Sequence, residues 1–162
     1  MVKSVVQDPN PILHKKTPPV TKFNSDEFKK LIKDMKDTLA KEDGLGLAAP
    51  QIGESLNVFV IPDDIAPVAK SRAILSPIIK PEKRTVFINP EIRFYSKSTE
   101  VLEEGCLSVK GIYRETPRSF KVKLKARDER GHKFSVSAEG LLARIFQHET
   151  DHLNGILFIE RL

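Results

Sequence analysis

Residues Gln147–Gly155, QHETDHLNG, constrain this chain more than any other segment, because two histidines stand four positions apart with a glutamate directly after the first. This is an HExxH box. On a helix, positions i and i+4 share one face about one turn apart, so His148 and His152 can present imidazole nitrogens to one divalent cation, with Glu149 beside it as a base. Leu141, Leu142, Ile145 and Phe146 repeat with helical period upstream, and Asn154-Gly155 supplies a stop, so the box falls on the last turns of a helix. The competing reading is an amphipathic helix decorated by chance. It fits poorly with a chain that has only 4 histidines in 162 residues.

Two imidazoles hold a metal weakly, and catalytic sites use three protein ligands plus an open position. The one cysteine, Cys106, lies in EEGCLSV, where the flanking STEVLEE and LSV read as extended chain. A lone cysteine is commonly a small buried apolar residue. Beside an HExxH box it becomes the natural third ligand. Cys106, His148 and His152 are one short of a closed structural zinc site, and neither His14 nor His132 has the spacing to complete one, which points to catalysis. One thiolate with two imidazoles suits Zn, Fe(II), Ni or Co.

A third segment, GLGLAAPQIG from Gly44 to Gly53, is too apolar for an ordinary surface loop yet holds the polar Gln51. It is neither a phosphate loop, lacking Lys-Ser or Lys-Thr, nor a GxGxxG dinucleotide turn, since Ala48-Ala49-Pro50 interrupts the pattern. Taken alone it reads as a helix-to-strand connection packed on small residues, with Gln51 in solvent.

The periodicities predict an α+β domain spanning residues 1–162. Segment 25–41 reads as an amphipathic N-terminal helix with the stripe Phe28, Leu31, Ile32, Met35 and Leu39, capped by Asn24 or Ser25 and carrying Asp26 and Glu27 in its first turn. NVFVIP and RTVFINP read as buried strands, and KVKLKARDERGHKFSV as a hairpin with Val122, Leu124 and Ala126 inward and a turn near Glu129–Gly131. Antiparallel sheets are expected to pack around the C-terminal metal-binding HExxH helix. Composition, with 40% hydrophobic and 30% charged residues, agrees with a compact enzyme. No apolar run approaches the roughly 20 residues that span a bilayer, and no signal or transit pattern is legible. A metal-bound thiolate needs a reducing compartment, which suggests the cytoplasm. The net charge of +5 is uneven: Lys121, Lys123, Lys125 and Arg127 alternate with inward residues and share one outer strand face. That face reads as solvated sheet or as a surface attracted to RNA, without aromatic interleaving for base stacking.

With all three segments in view, the chain resembles the peptide deformylases, whose members carry a GxGxAAxQxG loop, an EGCLS segment and a QHExDHLxG helix in this order. The opening QDPNPILHKKTPPV and the strand FINPEI also look like the family's, and the EGCLS form resembles its bacterial and organellar type. The resemblance implies one divalent metal ion per chain, Fe(II) in the cell with Ni, Co or Zn as substitutes. It implies N-formyl-methionyl nascent peptides as substrate and formate as product. Glu149 would move the proton, while Gln51 and the backbone N–H of Leu107 would donate to the carbonyl oxygen as charge develops. Gly46 would offer its backbone to the peptide. Leu141, Arg144 (through its aliphatic stem) and Ile145, on the helix face of the two histidines, would line the methionine pocket.

Three features depart from the common family pattern. Residues 63–84 are longer than the usual connection and read as a flap or surface insertion, and Lys110 stands where many members have proline. Many bacterial members also continue past the point corresponding to Leu162 into a helix that docks on the ribosome. The ribosome is a further expected partner, and neither membrane association nor direct DNA binding is expected. Two rival readings are a generic HExxH metallopeptidase, whose usual ligand set lacks such a cysteine, and a non-catalytic ribosome- or RNA-binding module.

Overall fold

The computed structural model describes residues 1–70 and 81–161. Of the 63–84 stretch, residues 71–80 therefore lie outside the described residues. In chain order the elements are helix α1 (Asp26–Glu42) and strands β1 (Leu47–Ala48), β2 (Val58–Val60), β3 (Val68–Ala69), β4 (Glu82–Lys83) and β5 (Val86–Tyr95). Strands β6 (Thr99–Cys106), β7 (Val109–Ser119), β8 (Lys121–Arg127) and β9 (Lys133–Glu139) then lead into helix α2 (Gly140–Leu153). Five strands form an antiparallel sheet in the order β1-β2-β5-β8-β9, and β3-β4 and β6-β7 form two further antiparallel pairs. No helix among the described residues is long and apolar enough to cross a membrane.

Alternation along β2 explains how one sheet serves two helices. Val58 and Val60 face α1 and join Phe28, Ile32, Met35 and Leu39, whereas Phe59 faces the other way and joins the cluster under α2. A strand buried on both faces reads as an unbroken apolar run, as NVFVIP does. Ser25 caps α1 by accepting from the Phe28 N–H at 3.1 Å. Beneath α2, Phe59 and Phe87 stack at 4.8 Å, and Phe146 of the helix packs on Phe87 at 5.0 Å. Helix α2, which carries His148 and His152, thus rests on an aromatic platform built by two adjacent strands.

The β8-β9 hairpin matches expectation, with Val122, Leu124 and Ala126 buried opposite Ala138, Val136 and Phe134. On the outer face, Lys121 lies 3.4 Å from Glu139, Lys125 stands across from Glu91, and the Lys123 ammonium sits 5.6 Å from the Phe94 ring. Local partners for three of the four cations favour the solvated-sheet reading of this face. Two details differ from the sequence reading. Leu107-Ser108, within the LSV expected to be extended, forms the turn of the β6-β7 hairpin, whose ladder runs from Thr99↔Ser119 to Cys106↔Val109. Strand β7 went unrecognised because VKGIYRETPRS has neither clean alternation nor an apolar face, and Pro117 is tolerated on it as a peripheral strand.

Because α2 is seated on Phe59 and Phe87, Phe87→Ala is expected to cost about 3–5 kcal/mol of stability. Urea denaturation should show it as a lowered midpoint with an unchanged slope.

Candidate active site

The hairpin β6-β7 and helix α2 meet at one point. Cys106 Sγ lies 3.3 Å from His152 Nε2, which in turn lies 3.2 Å from His148 Nε2, and the three atoms fall within 4.8 Å of one another. A cation with Zn–N and Zn–S bonds of ordinary length in tetrahedral geometry sets its ligand atoms roughly 3.3–3.6 Å apart, so the three donors fit a single ion. Their surroundings favour positive charge there. Burial alone would lower the His148 pKa, but the Cys106 sulfur and the Glu104 carboxylate push it up to about 10. Burial, followed by the neighbouring His148, holds His152 well below the usual imidazole range and leaves it neutral, the form that ligates metals.

Glu104, two residues before the cysteine, orients this cluster. Its carboxylate accepts from His148 Nδ1 at 2.8 Å, from Arg118 Nε and Nη2 at 2.8 and 2.9 Å, and from Arg144 Nη1 at 2.6 Å. Burial opposes its ionisation, yet the hydrogen bonds from Arg118 and His148 hold it well below the usual carboxylate range. Arg118 also donates to Asp151 at 2.6 Å, and Arg161 grips the same carboxylate. Gln147 completes the attachment of α2 by exchanging hydrogen bonds with the backbone of Ser119 at 2.8 and 3.1 Å. The ring of His148 therefore cannot turn without breaking a buried ionic network. The Nδ1 of His152 is buried without a hydrogen-bond partner among the described residues, so Glu104 carries the orienting role for the pair.

Glu149 faces the same space from α2. Its side chain is 4% exposed, its Oε2 has no hydrogen-bond partner among the described residues, and burial pushes its carboxyl up to about 7. The glycine loop closes over it. A Cβ on Gly46 would stand 2.5 Å from Glu149 Oε1 and 2.8 Å from its Cδ, so glycine is required by the close approach of backbone to carboxylate. Gln51 is 1% exposed, not solvated as the loop alone suggested. Its Oε1 accepts from the Ala48 N–H at 2.9 Å, and its Nε2 donates toward Ser108 Oγ at 3.2 Å and Cys106 Sγ at 3.6 Å.

These groups line a cavity of about 550 Å³ together with Leu107, Leu141, Arg144 and Ile145. Every residue singled out from the sequence thus borders one space or its ligand cluster. Arg144 differs from expectation in what its charge does: the guanidinium is bound to Glu104, to Thr116 O at 2.7 Å and to Glu100 O at 2.7 Å, which leaves the stem to face the cavity. Leu141 is half exposed at the mouth, whereas Ile145 is buried. Sequence reasoning missed Glu104, Arg118, Ser108, Gln147 and Asp151. Four of them sit inside the recognised motifs as polar residues, which was the available signal. Arg118 is separated from the box by 30 positions and had none.

A cysteine sulfur and two imidazoles converging beside a buried carboxylate on the wall of a cavity is an arrangement of the mononuclear metallohydrolase class. The comparisons specify which. The family model described as polypeptide deformylase matches residues 2–162. The peptide deformylase of Thermotoga maritima is 43% identical over 153 residues, covering 94% of this chain and 82% of that one. The chloroplastic/mitochondrial peptide deformylase 1B of Arabidopsis thaliana is 41% identical over 160 residues, covering 98% of this chain and 53% of that one. Among solved structures, the Thermotoga maritima peptide deformylase superposes with a TM-score of 0.84 at 40% identity, covering 100% of this chain and 98% of that one. An actinonin-bound class I type b peptide deformylase from Acinetobacter baumannii gives 0.84 at 33% identity, covering 100% and 99%. This chain belongs to the polypeptide deformylase family, a family of metalloenzymes.

Glu104→Gln should weaken Zn(II) binding about 10- to 100-fold, as expected when a partner that orients a metal-ligating histidine is lost. Competition against a chromophoric chelator, at a temperature where the variant remains folded, measures it.

Proposed function

We propose that this chain removes the formyl group from the N-terminal formylmethionine of newly made polypeptides and releases formate, with residues 1–162 acting as a single catalytic domain. The observation that carries the proposal is the convergence of Cys106, His148 and His152 on one point at the wall of the cavity that Glu149 also lines. These three residues would hold one divalent ion. When bound, that ion supplies Lewis acidity and makes water acidic enough to attack near neutral pH. Fe(II) is the ion assigned to the cell, with Ni, Co or Zn able to replace it. The cytoplasm is the assigned compartment, since its reducing environment preserves the Cys106 thiolate.

The residues around that point divide the remaining work. Glu149 takes the proton of the attacking water and returns it to the departing amine, so that the new C–O bond and the broken C–N bond leave formate and a free N-terminus. Gln51 Nε2 and the Leu107 backbone N–H donate to the formyl oxygen as it gains charge. The Gln51 amide is already fixed at both ends beside the Cys106 sulfur, so it need not reorganise during the reaction. Leu141, Ile145 and the stem of Arg144 receive the methionine side chain, and the backbone at Gly46 lies along the peptide. The nascent chain is the primary partner, the ribosome that carries it a second, and no DNA binding is assigned. Neither the metallopeptidase reading nor the RNA-binding module is favoured by any observation on this family member.

The test is formate release from a formyl-Met tripeptide by protein prepared anaerobically with Fe(II) or Ni. Glu149→Ala should lower turnover by roughly 10²–10⁴-fold while keeping a stoichiometric ion, and the unformylated peptide should remain intact. Absence of formate from metal-replete protein would sink the proposal. Gly46→Ala separates two roles for that glycine. If its chief task is to make room for Glu149, kcat falls about tenfold or more with KM little changed. A raised KM at constant kcat would assign it to peptide binding instead.

A further inference from the structure

The segment ahead of α1 runs past all three motifs and bonds to each. The Val6 N–H donates to the carbonyl of Gln51 at 2.8 Å, Gln7 Nε2 donates to the carbonyl of Leu107 at 2.8 Å, and the Asp8 N–H donates to that of Ser108 at 2.9 Å. Farther along, the Thr17 N–H and Oγ1 both donate to Leu153 O at the end of α2, at 2.9 and 3.0 Å. Apolar contact holds the segment in place, with Val6, Ile12 and Leu13 packed among Val109, Leu157 and Phe158. Three consecutive residues, Val6 to Asp8, therefore grip the backbone of Gln51 and of the Leu107-Ser108 turn, where the two donors assigned above to the formyl oxygen reside. Two of these grips are main-chain N–H groups. Gln7 alone supplies a side chain.

We infer that Gln7 is a positioning residue for the reaction, holding the Leu107 carbonyl so that the N–H of the same residue keeps its aim on the formyl oxygen. The inference rests on the deformylase reading of the site. Cys106 pairs with Val109 at the end of the β6-β7 ladder, so Leu107 and Ser108 are the two central residues of a tight turn. Such turns have alternative forms that differ mainly by rotation of the central peptide group. Here that group joins Leu107 to Ser108, and its oxygen is the one that Gln7 holds. Rotating it breaks this bond and shifts the Leu107 backbone on which the donor N–H sits. An oxyanion donor is effective when it is aimed before charge develops, within a tolerance of about 0.5 Å. The Gln7 amide also reaches Val5 O at 3.3 Å, which fixes the side chain on its own segment. Gln7 does not line the cavity, so it acts through Leu107 and not on the substrate.

The experiment compares the parent with Gln7→Met, which keeps the shape and loses the donor, and with Gln7→Lys, which keeps a donor on a flexible stem, all as full, metal-loaded chains. On a formyl-Met tripeptide, Gln7→Met should lower kcat about 5- to 10-fold with KM little changed, the population shift that one hydrogen bond of ordinary net strength sustains. Gln7→Lys should recover most of that loss. On the thioformyl analogue, whose sulfur accepts hydrogen bonds weakly, the gap between Gln7→Met and the parent should shrink toward unity, which a general loosening of the fold would not produce. Zn(II) affinity, read by chelator competition, should match the parent's, because Cys106, His148 and His152 are untouched. Where Gln7→Met does not fold, Gln7→Ala carries the same expectations. Parental kcat in the donor-less variant while the parent releases formate would overturn this inference alone. So would a loss confined to KM, an equal loss on the oxo and thio substrates, a parallel fall in Zn(II) affinity, or no recovery in Gln7→Lys. Failure of the parent to release formate would remove the deformylase reading and this inference with it.

Discussion

The Glu104 carboxylate is the constraint on which the rest of the site depends. It is 6% exposed and accepts hydrogen bonds from Arg118, Arg144 and His148, so it ties β6, β7 and α2 together through one pair of oxygens. Arg118 passes the connection to Asp151 and thence to Arg161. Buried charges are tolerable only when each is paired and hydrogen-bonded, because desolvation otherwise outweighs the attraction. The network therefore has one productive arrangement, and in that arrangement Cys106 is carried to within 3.3 Å of His152. Stability and site geometry are set by the same contacts.

A second coupling runs through the glycine loop. β1 is the edge strand of the five-stranded sheet, and the 3-10 turn Ala49–Ile52 that follows holds Gln51 by its Oε1 on Ala48 and its Nε2 toward Ser108 and Cys106. Gly46, just before β1, packs on Glu149. The loop, the cysteine turn and α2 thus fix one another, each supplying a surface that the others need. Such mutual support is what keeps a reactive constellation within the small tolerance that catalysis requires.

Much of this was legible in the sequence because it is local. The HExxH spacing, the Ser25 cap, the apolar stripe of α1 and the alternation of β8 follow from helix and strand periods that act over a few residues. The illegible parts are those decided at long range. Strand β7 carries too few apolar residues to announce itself, and it exists because its backbone pairs with β6 and because Arg118 reaches Glu104 and Asp151. Gln51 is polar in a loop and reads as exposed until the Cys106 turn is folded over it. The guanidinium of Arg144 has no local partner to predict its burial.

The sequence by itself singled out the side chains that could hold a metal, Cys106, His148 and His152 with Glu149 beside them, and set the two histidines one helical turn apart. It also determined the family, since three motifs in order carry the chemistry in their residue types. Tertiary structure alone decided that Cys106 meets the histidines and that Gly46 yields its side-chain space to Glu149. The physical reason is range. Backbone periodicity and capping act between neighbours in the chain, whereas burying the Glu104 charge and packing α2 on Phe59 and Phe87 join residues tens of positions apart, and only the folded chain brings them together.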